Sequence, residues 1–205
     1  MKMNDIYEKL DKMVPNPRCE LNYKKDYELL IAVVLSAQCT DKRVNKQTEI
    51  LFDKYDIFAL SKLNSEDIFE IIRPLGSGTK KSSYVIEIAK KLVSDYDGKV
   101  PNNREYLESL PGVGRKTCNV LLSELFDEPA IAVDTHVERV SKRLGLVSES
   151  ASVLEVEEKL MEIFPKNKWG KMHKQLVLFG RYTCLAKKPK CSECLFTECP
   201  RREEE

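Results

Sequence analysis

Hydrophobic residues recur along this 205-residue chain at intervals of three or four positions, which is the spacing that places side chains on one face of an α-helix. The alternation of single apolar and polar residues that is typical of a half-buried strand is absent from the sequence. The pattern therefore predicts an all-α fold. Three of these helical sets are Tyr27, Leu30, Ile31 and Val34; Val85, Ile88, Ala89 and Leu92; and Val133, Val137, Val140 and Leu144.

Capping residues indicate where several of these helices begin. Asn102-x-x-Glu105 has the spacing of a capping box, in which the two side chains satisfy free N–H groups of the first helical turn. Asp26, Asp41 and Ser65 are candidate N-caps of other helices. We therefore expect helices to start next to these four positions.

The charges of the chain nearly balance, because 34 Lys and Arg residues face 33 Asp and Glu residues. An interaction with nucleic acid therefore has to be argued from where the charges lie and not from the net charge of +1. Residues 164–191 contain eight Lys or Arg and no Asp or Glu. Charge alone does not distinguish a stripe that faces phosphates from an ordinary solvated helix face.

The N-terminal segment Met1-Lys2-Met3-Asn4-Asp5 is polar and lacks the apolar core of a signal peptide. The longest wholly apolar run, residues 29–35, is too short to span a bilayer. We therefore expect a cytoplasmic, intracellular protein without a membrane partner, and we expect it to be a monomer.

The segment Leu110-Pro111-Gly112-Val113-Gly114-Arg115-Lys116 combines a phosphate-binding turn with a candidate nucleophile. A Gly-x-Gly turn between two helices exposes backbone N–H groups at a helix N-terminus, where they can hold a phosphate. Lys116 follows in the first turn of the next helix. The helix dipole and Arg115 both disfavour an ammonium there, so the amine is a candidate Schiff-base former. A lone lysine at such a position would by default be a solvated helix residue.

Four of the seven cysteines lie close together near the C-terminus, with the spacing Cys184-x6-Cys191-x2-Cys194-x4-Cys199. Four such thiolates suit a 4Fe–4S cluster or a structural zinc ion, and free buried thiols are the remaining alternative. Zinc sites more often use two close cysteine pairs or recruit histidine, which favours the cluster. The other three cysteines, Cys19, Cys39 and Cys118, lack such spacing, and we expect them to be buried small apolar residues.

Three lysines lie between the first two cysteines of this group, at Lys187, Lys188 and Lys190. A loop that a metal centre pins at both ends would present these amines to phosphates at a low cost in entropy. We therefore expect the metal centre to position the loop for DNA rather than to transfer electrons.

The hairpin segment continues with Thr117, and Ile131-Ala132-Val133-Asp134-Thr135-His136 follows it. This combination resembles the endonuclease III family of DNA base-excision glycosylases, whose signature reads L-P-G-V-G-R-K-T with the catalytic Asp in V-D-T-H. Further matching segments are Glu28-Leu29-Leu30-Ile31-Ala32-Val33, Ser36-Ala37-Gln38 and Gly180-Arg181-Tyr182-Thr183-Cys184. A generic DNA-binding helix-hairpin-helix is the alternative for the hairpin alone.

The resemblance implies a two-domain helix-hairpin-helix DNA glycosylase fold with a 4Fe–4S cluster loop at its C-terminus. Pro15-Asn16-Pro17 and Asp127-Glu128-Pro129 interrupt the helical pattern at places that suit this architecture. We expect a six-helix domain over residues 19–128 and a cluster domain formed by residues 1–18 and 129–205. By resemblance, the active site lies in the cleft between them. The family's last cysteine gap is one residue longer than the gap before Cys199.

Lys116 and Asp134 have the chemical properties that cleavage of an N-glycosidic bond requires. The sugar acquires positive charge as the base leaves, and the Asp134 carboxylate can stabilise that charge. Lys116 would attack C1′, form a Schiff base and allow the 3′ phosphate to leave by β-elimination. Asp134 also has the position of an N-cap for the helix that follows, and it can serve both purposes.

Because the target base lies inside a duplex, the enzyme must flip it out and fill the gap. By resemblance Gln38 is one filling residue, although a polar residue at a helix end is the plain alternative. The family's second wedge is a Leu in I-G-L-Y-N-S-K, whereas this chain reads Leu75-Gly76-Ser77-Gly78-Thr79-Lys80-Lys81 and places Ser77 there. The flanking glycines Gly76 and Gly78 predict a permissive loop.

The sequence therefore predicts a bifunctional DNA glycosylase and AP lyase that acts on oxidised pyrimidines in duplex DNA. Gly112, Gly114 and Arg115 join the lysines of the cysteine loop as expected DNA contacts. An adenine or mismatch glycosylase of the same fold is one alternative, but its catalytic Glu would fall in the wholly apolar residues 31–35. A non-catalytic DNA-binding scaffold is the other, and the presence of both Lys116 and Asp134 argues against it.

Overall fold

The computed structural model describes residues 3–202, and every regular element within that range is helical, which confirms the all-α prediction. None of these helices combines the length and apolar character needed to cross a lipid bilayer. Short 3-10 helices cover Arg73–Leu75 and Lys166–Lys168. The α-helices are α1 (Met3–Met13), α2 (Asp26–Leu35), α3 (Asp41–Lys54), α4 (Ile57–Leu60), α5 (Ser65–Ile72), α6 (Gly78–Tyr96), α7 (Arg104–Ser109), α8 (Arg115–Phe126), α9 (Thr135–Arg143), α10 (Val153–Ile163) and α11 (Trp169–Tyr182).

The chain divides into two compact units. One unit is Cys19–Leu121, with α2 to α7 and the beginning of α8. The other combines the residues up to Arg18 with those from Leu122 onward, and it contains α1 and α9 to α11. The division falls inside α8, a few residues before the break near residue 128 that the sequence pattern suggested. Lys116 therefore belongs to the first unit and Asp134 to the second.

Helix α2 forms the centre of the Cys19–Leu121 unit. Its apolar run, residues 29–35, is buried throughout, and α3 and α6 pack against it. A helix that is apolar on all sides has no face for water, so its neighbours have to surround it. The Glu28 side chain, the one carboxylate buried on α2, accepts hydrogen bonds from the backbone N–H groups of Lys24 (2.6 Å) and Lys25 (3.3 Å). This carboxylate thereby caps its own helix.

The second unit has a separate hydrophobic core in which α11 packs against α9 and α1, and α10 packs against α9. The Phe179 ring of α11 lies 5.5 Å from the Phe196 ring of the C-terminal loop, which ties that loop to the core. Gln175 donates to the carboxylate of Asp11 (2.6 Å) and thereby joins α11 to α1. Further members of the core are Ile6, Leu10, Ile131, Val133, Val137, Val140, Leu144, Val156, Leu160, Phe164, Met172 and Leu176.

The predicted capping positions are displaced by one residue. Helix α7 is capped by Asn103, whose side chain accepts from the Tyr106 N–H (3.1 Å), so the prediction of Asn102 was wrong. Asp26 is the first residue of α2 and not its cap. Its carboxylate accepts from the N–H of Val100 (2.7 Å), a contact between residues distant in sequence. Cap-forming residue types often stand side by side, so local sequence does not decide which of them caps the helix.

Candidate functional site

The predicted hairpin is formed by α7, a turn over residues 110–114, and α8. Leu110 and Val113 anchor the turn, because both side chains are buried. The Arg104 guanidinium of α7 donates to the Asn119 side chain of α8 (Nη2 to Oδ1, 2.8 Å). Two buried apolar side chains and one hydrogen bond thus hold the two helices together around the turn.

The two glycines of the turn have different environments. Gly112 has a φ of +77°, and a Cβ at this position would lie 2.8 Å from the Tyr84 ring and 3.0 Å from Val34. Gly114 has no such constraint, since a Cβ there would meet nothing within 4 Å. Gly112 is therefore required by the fold, whereas the open space at Gly114 leaves the backbone accessible to a ligand.

Lys116 is the second residue of α8, and its side chain is exposed. Arg115, the first residue of the helix, is also exposed. The N-terminus of a helix favours anions because its first N–H groups lack partners within the helix. The structure thus places the predicted nucleophile beside a terminus that suits a DNA phosphate.

Asp134 is the N-cap of α9. Its Oδ1 atom accepts hydrogen bonds from the backbone N–H groups of His136 (2.9 Å) and Val137 (2.8 Å). Both bonds use the same oxygen, so Oδ2 takes no part in the cap. The capping role considered from the sequence is confirmed, and it leaves one carboxylate oxygen for chemistry.

Gln38 and Ser77, the two predicted gap-filling residues, are both exposed and both adopt left-handed backbone conformations. Their φ angles are 56° and 49°, a region that non-glycine residues seldom occupy. Backbone strain of this kind persists only where the surrounding structure enforces it, and it is concentrated at functional sites.

The expectation of a loop made permissive by two glycines is only half right. Gly76 has a φ of +71° and open space around it. Gly78 begins α6, and a Cβ there would lie 2.9 Å from the Arg73 backbone and 3.1 Å from the Phe69 ring. Gly78 therefore permits close packing of α6 against the preceding turn and is not a source of freedom for Ser77.

The four C-terminal cysteines line one cavity beside Phe179 and Phe196. None of them is in a disulfide. Burial raises the pKa of the Cys194 and Cys199 thiols, and the charges of Cys184 and Cys191 raise it further because these groups lie nearby. The shorter last gap therefore still brings Cys199 to the other three. Within residues 3–202, no three His, Cys, Asp or Glu side chains converge closely enough to hold a single metal ion.

Two arginines of α9 fasten the start of the cysteine loop. Arg139 donates to the Cys184 carbonyl from Nε (3.2 Å) and Nη2 (3.0 Å). Arg143 donates to the Leu185 carbonyl, and its Nη1 lies 3.6 Å from Cys184 Sγ. The Cys199 thiol is in turn 3.1 Å from the Arg143 carbonyl oxygen. The helix that Asp134 caps is thus bonded directly to the first and last cysteines of the group.

The lysines of the cysteine loop remain available to an external anion. Lys187, Lys188 and Lys190 are exposed, and Lys188 has a φ of 52°. Lys190 lies 3.9 Å from the carboxylate of Glu193, at the limit of an ion pair and with both side chains largely in solvent. A surface pair of this kind contributes little to stability and can yield to a phosphate.

Two other cations of the basic segment are engaged within the protein. Lys171 forms an ion pair with Asp11 (2.6 Å), and Lys174 forms one with Glu124. The pairing with Asp11 is strong enough to raise the pKa of Lys171 through its hydrogen bond. For these two lysines the structure supports an intramolecular role and not a phosphate-facing stripe.

A groove of about 960 Å³ lies in the second unit. Its lining includes residues of both proline-containing breaks and the charged residues Arg18, Glu128, Lys166 and Lys174. None of the predicted site residues lines it. The site is therefore identified by its chemical groups and not by the size of a depression.

Residues 31–166 match the family model described as HhH-GPD superfamily base excision DNA repair protein. The matched segment contains the hairpin, Lys116 and Asp134. The chain belongs to the HhH-GPD superfamily. Endonuclease III of Bacillus subtilis (strain 168), a relative of this chain, is 47% identical over 191 residues, which cover 91% of this chain and 86% of that protein.

Two solved structures extend the HhH-GPD assignment to the whole fold. A non-covalent endonuclease III–DNA complex superposes with a TM-score of 0.93 at 45% identity, covering 98% of this chain and 96% of that one. A trapped endonuclease III–DNA covalent intermediate, the estranged-adenine complex, gives 0.92 at 46% identity, with coverage of 98% and 97%. These similarities confirm the helix-hairpin-helix glycosylase fold expected from the sequence.

Sequence reasoning on this HhH-GPD chain missed three functional candidates: Lys81, Arg139 and Arg143. Lys81 lies on the same helical face as the apolar residues Val85 and Ile88, and a lysine in such a position is a recognisable signal. The arginines carried no comparable signal, because the backbone carbonyls of the cysteine loop that they contact lie more than 40 positions away in the sequence.

The contrast between the two hairpin glycines leads to a prediction about stability. Gly112→Ala should destabilise the protein by about 1–3 kcal/mol, because the new methyl group is strained at positive φ and overlaps Tyr84. Gly114→Ala should leave the free energy of unfolding unchanged or slightly raise it. Urea unfolding followed by circular dichroism measures both. Equal destabilisation by the two substitutions would contradict this account of the turn.

Proposed function

We propose that the protein excises oxidised pyrimidines from duplex DNA, with Lys116 as the nucleophile and Asp134 as the electrostatic stabiliser. The proposal rests on the position of these two groups, because both lie at helix N-termini. The Lys116 amine and the Asp134 Oδ2 atom are the reactive atoms that the fold does not use. Membership of the HhH-GPD superfamily and the similarity to endonuclease III give the reaction class, a bifunctional DNA glycosylase and AP lyase of base excision repair.

Lys116 acts first as a nucleophile. Its neutral Nζ forms a bond to C1′ while the base leaves with the electrons of the glycosidic bond and takes up a proton. The ring oxygen then departs from C1′, which gives an iminium ion between the sugar and Lys116. Loss of the C2′ proton expels the 3′ phosphate by β-elimination. Water finally hydrolyses the imine and releases the lysine.

Asp134 lowers the barrier to departure of the base. Positive charge develops on the sugar ring as the glycosidic bond lengthens. A fixed carboxylate next to the ring therefore stabilises this transition state more than the ground state. The bonds from His136 and Val137 to Oδ1 hold the carboxylate in place before the substrate arrives. Oδ2 is the oxygen that we assign to the sugar.

Several of the remaining candidate residues would contact the DNA. Gly114 and Arg115 would bind a phosphate at the beginning of α8, and Gly112 shapes the turn that presents them. Gln38 and Ser77 would enter the space vacated by the flipped base. Duplex DNA with a damaged base or an abasic site is therefore the proposed partner. We further propose that the protein is a monomer and that it acts in a cytoplasmic compartment with access to DNA.

The four C-terminal thiols fit a 4Fe–4S cluster. All four line one cavity, and among the described residues no histidine lines it with them. Zinc sites more often recruit histidine or use two close cysteine pairs. When bound, the cluster would supply a rigid tie among Cys184, Cys191, Cys194 and Cys199. The chain's own Lys187, Lys188 and Lys190 would then bind phosphates from the loop so held.

Borohydride trapping tests the proposed nucleophile. Added during turnover on an abasic duplex, borohydride should reduce the Schiff base and link the protein covalently to the DNA. Lys116→Gln should abolish this product while changing affinity for DNA by less than about threefold, because one exposed charge contributes little to binding. Lys90→Gln, an exposed lysine of α6, is the matched control and should be trapped like the wild type. Undiminished trapping of Lys116→Gln would assign the nucleophile elsewhere.

Metal analysis tests the cluster. Protein purified without oxygen should contain iron and acid-labile sulfide in a ratio of about one to one. Cys191→Ser should lose most of both, whereas Cys19→Ser, outside the cysteine loop, should retain them. Loss of the cluster should also weaken DNA binding, and the difference should shrink as salt concentration rises, since the displaced lysines act through charge. Stoichiometric zinc without sulfide would refute the assignment.

A further inference from the structure

Lys81 is a buried ammonium that the reaction chemistry does not use. Its residue is 6% exposed, near the beginning of α6. Nζ donates to the carbonyl oxygens of Ala37 (2.8 Å) and Leu75 (2.8 Å). Ala37 immediately precedes Gln38, and Leu75 lies two residues before Ser77. A single side chain therefore bonds to both loops that carry the proposed gap-filling residues.

The backbone of Lys81 adds a third connection. Its N–H donates to the Ser77 carbonyl (3.0 Å), so Ser77 is held from within α6 while the ammonium holds the turn before it. Gln38 and Ser77 both have positive φ, and these conformations need support from their surroundings. The Lys81 contacts supply that support at the point where the two loops meet.

Retaining a buried ammonium with neutral carbonyl partners is costly. Burial lowers the pKa of Lys81, and the neighbouring Cys39 only partly opposes this effect. An apolar residue would fill the same position on the helix face without this desolvation cost. Because natural sequences seldom keep such a group without benefit, the geometry indicates a role beyond packing.

We propose that Lys81 is a positioning residue that fixes the Gln38 loop (residues 36–39) against the Ser77 loop (residues 75–77), so that both enter a lesion site as one unit. This inference rests on the proposed function, since it assumes that the two loops fill the gap left by a flipped base. Positioning by Lys81 matters more in this chain than in a protein with an apolar wedge, because the Ser77 side chain is too small to stack between bases.

Two substitutions separate the role of Lys81 from a loss of charge. Lys81→Met keeps a long unbranched side chain but removes the ammonium. Lys80→Met is the matched control, because it removes the same charge from the adjacent, exposed position. Affinity is measured for a duplex containing an uncleavable abasic analogue and for the undamaged duplex of the same sequence. All measurements are made well below the thermal unfolding midpoint of each variant.

Lys81→Met should lose about tenfold or more in affinity for the lesion duplex, the order of one lost base-stacking contact, and less than about twofold for the undamaged duplex. Lys80→Met should affect both duplexes equally. Gln38→Ala combined with Lys81→Met should be little worse than the more damaging single variant, because both remove the same insertion step. A merely structural role for Lys81 would instead give additive losses or equal losses on both duplexes.

Unchanged lesion preference in Lys81→Met, or additivity with Gln38→Ala, would overturn the inference. If Lys81→Met does not fold, Lys81→Gln keeps an uncharged N–H donor group and should show a smaller loss of the same selective kind. Equal losses on both duplexes would again overturn the proposal. Failure of the proposed function can be distinguished from failure of the Lys81 inference. In the first case the wild-type protein itself would show neither borohydride trapping nor preference for the lesion duplex.

Discussion

The burial of residues 29–35 of α2 is the constraint on which the Cys19–Leu121 unit depends. Each large apolar side chain of residues 29–35 contributes about 1.5–3 kcal/mol through burial, so the helix cannot move without a large loss of stability. Two elements with proposed functions take their positions from this helix. The Gln38 loop follows its last turn, and Val34 contacts the hairpin where Gly112 leaves room for it. The core therefore sets the positions of both the Gln38 loop and the hairpin turn, the two elements that we propose to contact DNA.

The residues that we propose for catalysis and for filling the gap lie at or next to helix termini, where backbone groups lack partners within the helix. Lys116 lies at the beginning of α8, and Asp134 lies at the beginning of α9. Gln38 lies in the loop after α2, and Ser77 lies in the loop before α6. This arrangement lets buried helix faces supply stability while the ends supply reactive or anion-binding groups. On α9 the two functions meet, because the helix that Asp134 caps also holds the cysteine loop through Arg139 and Arg143.

Local patterns were sufficient for the helical fold, and they also identified the groups that we propose for the chemistry. Hydrophobic spacing predicted the helices, and the glycine turn predicted the hairpin. Long-range contacts were not predictable in the same way: Asp26 bonds to Val100 instead of capping α2, and Lys81 reaches Ala37 across 44 positions. Gly78 was misread as a source of flexibility, because the Arg73 backbone that it accommodates comes close only in the folded chain.

We propose that the helix cap and the chemistry use different oxygen atoms of Asp134, and the Asp134→Asn substitution separates the two roles. Asparagine caps a helix about as well as aspartate, so the free energy of unfolding should change by about 1 kcal/mol or less. Release of an oxidised pyrimidine in single-turnover assays should nevertheless slow by about 100-fold or more, because the charge on Oδ2 is lost. Asp134→Ala, which loses both functions, should also be less stable by about a further 1 kcal/mol. An Asp134→Asn protein that releases the base at the wild-type rate would contradict the claim and reduce Asp134 to a helix cap.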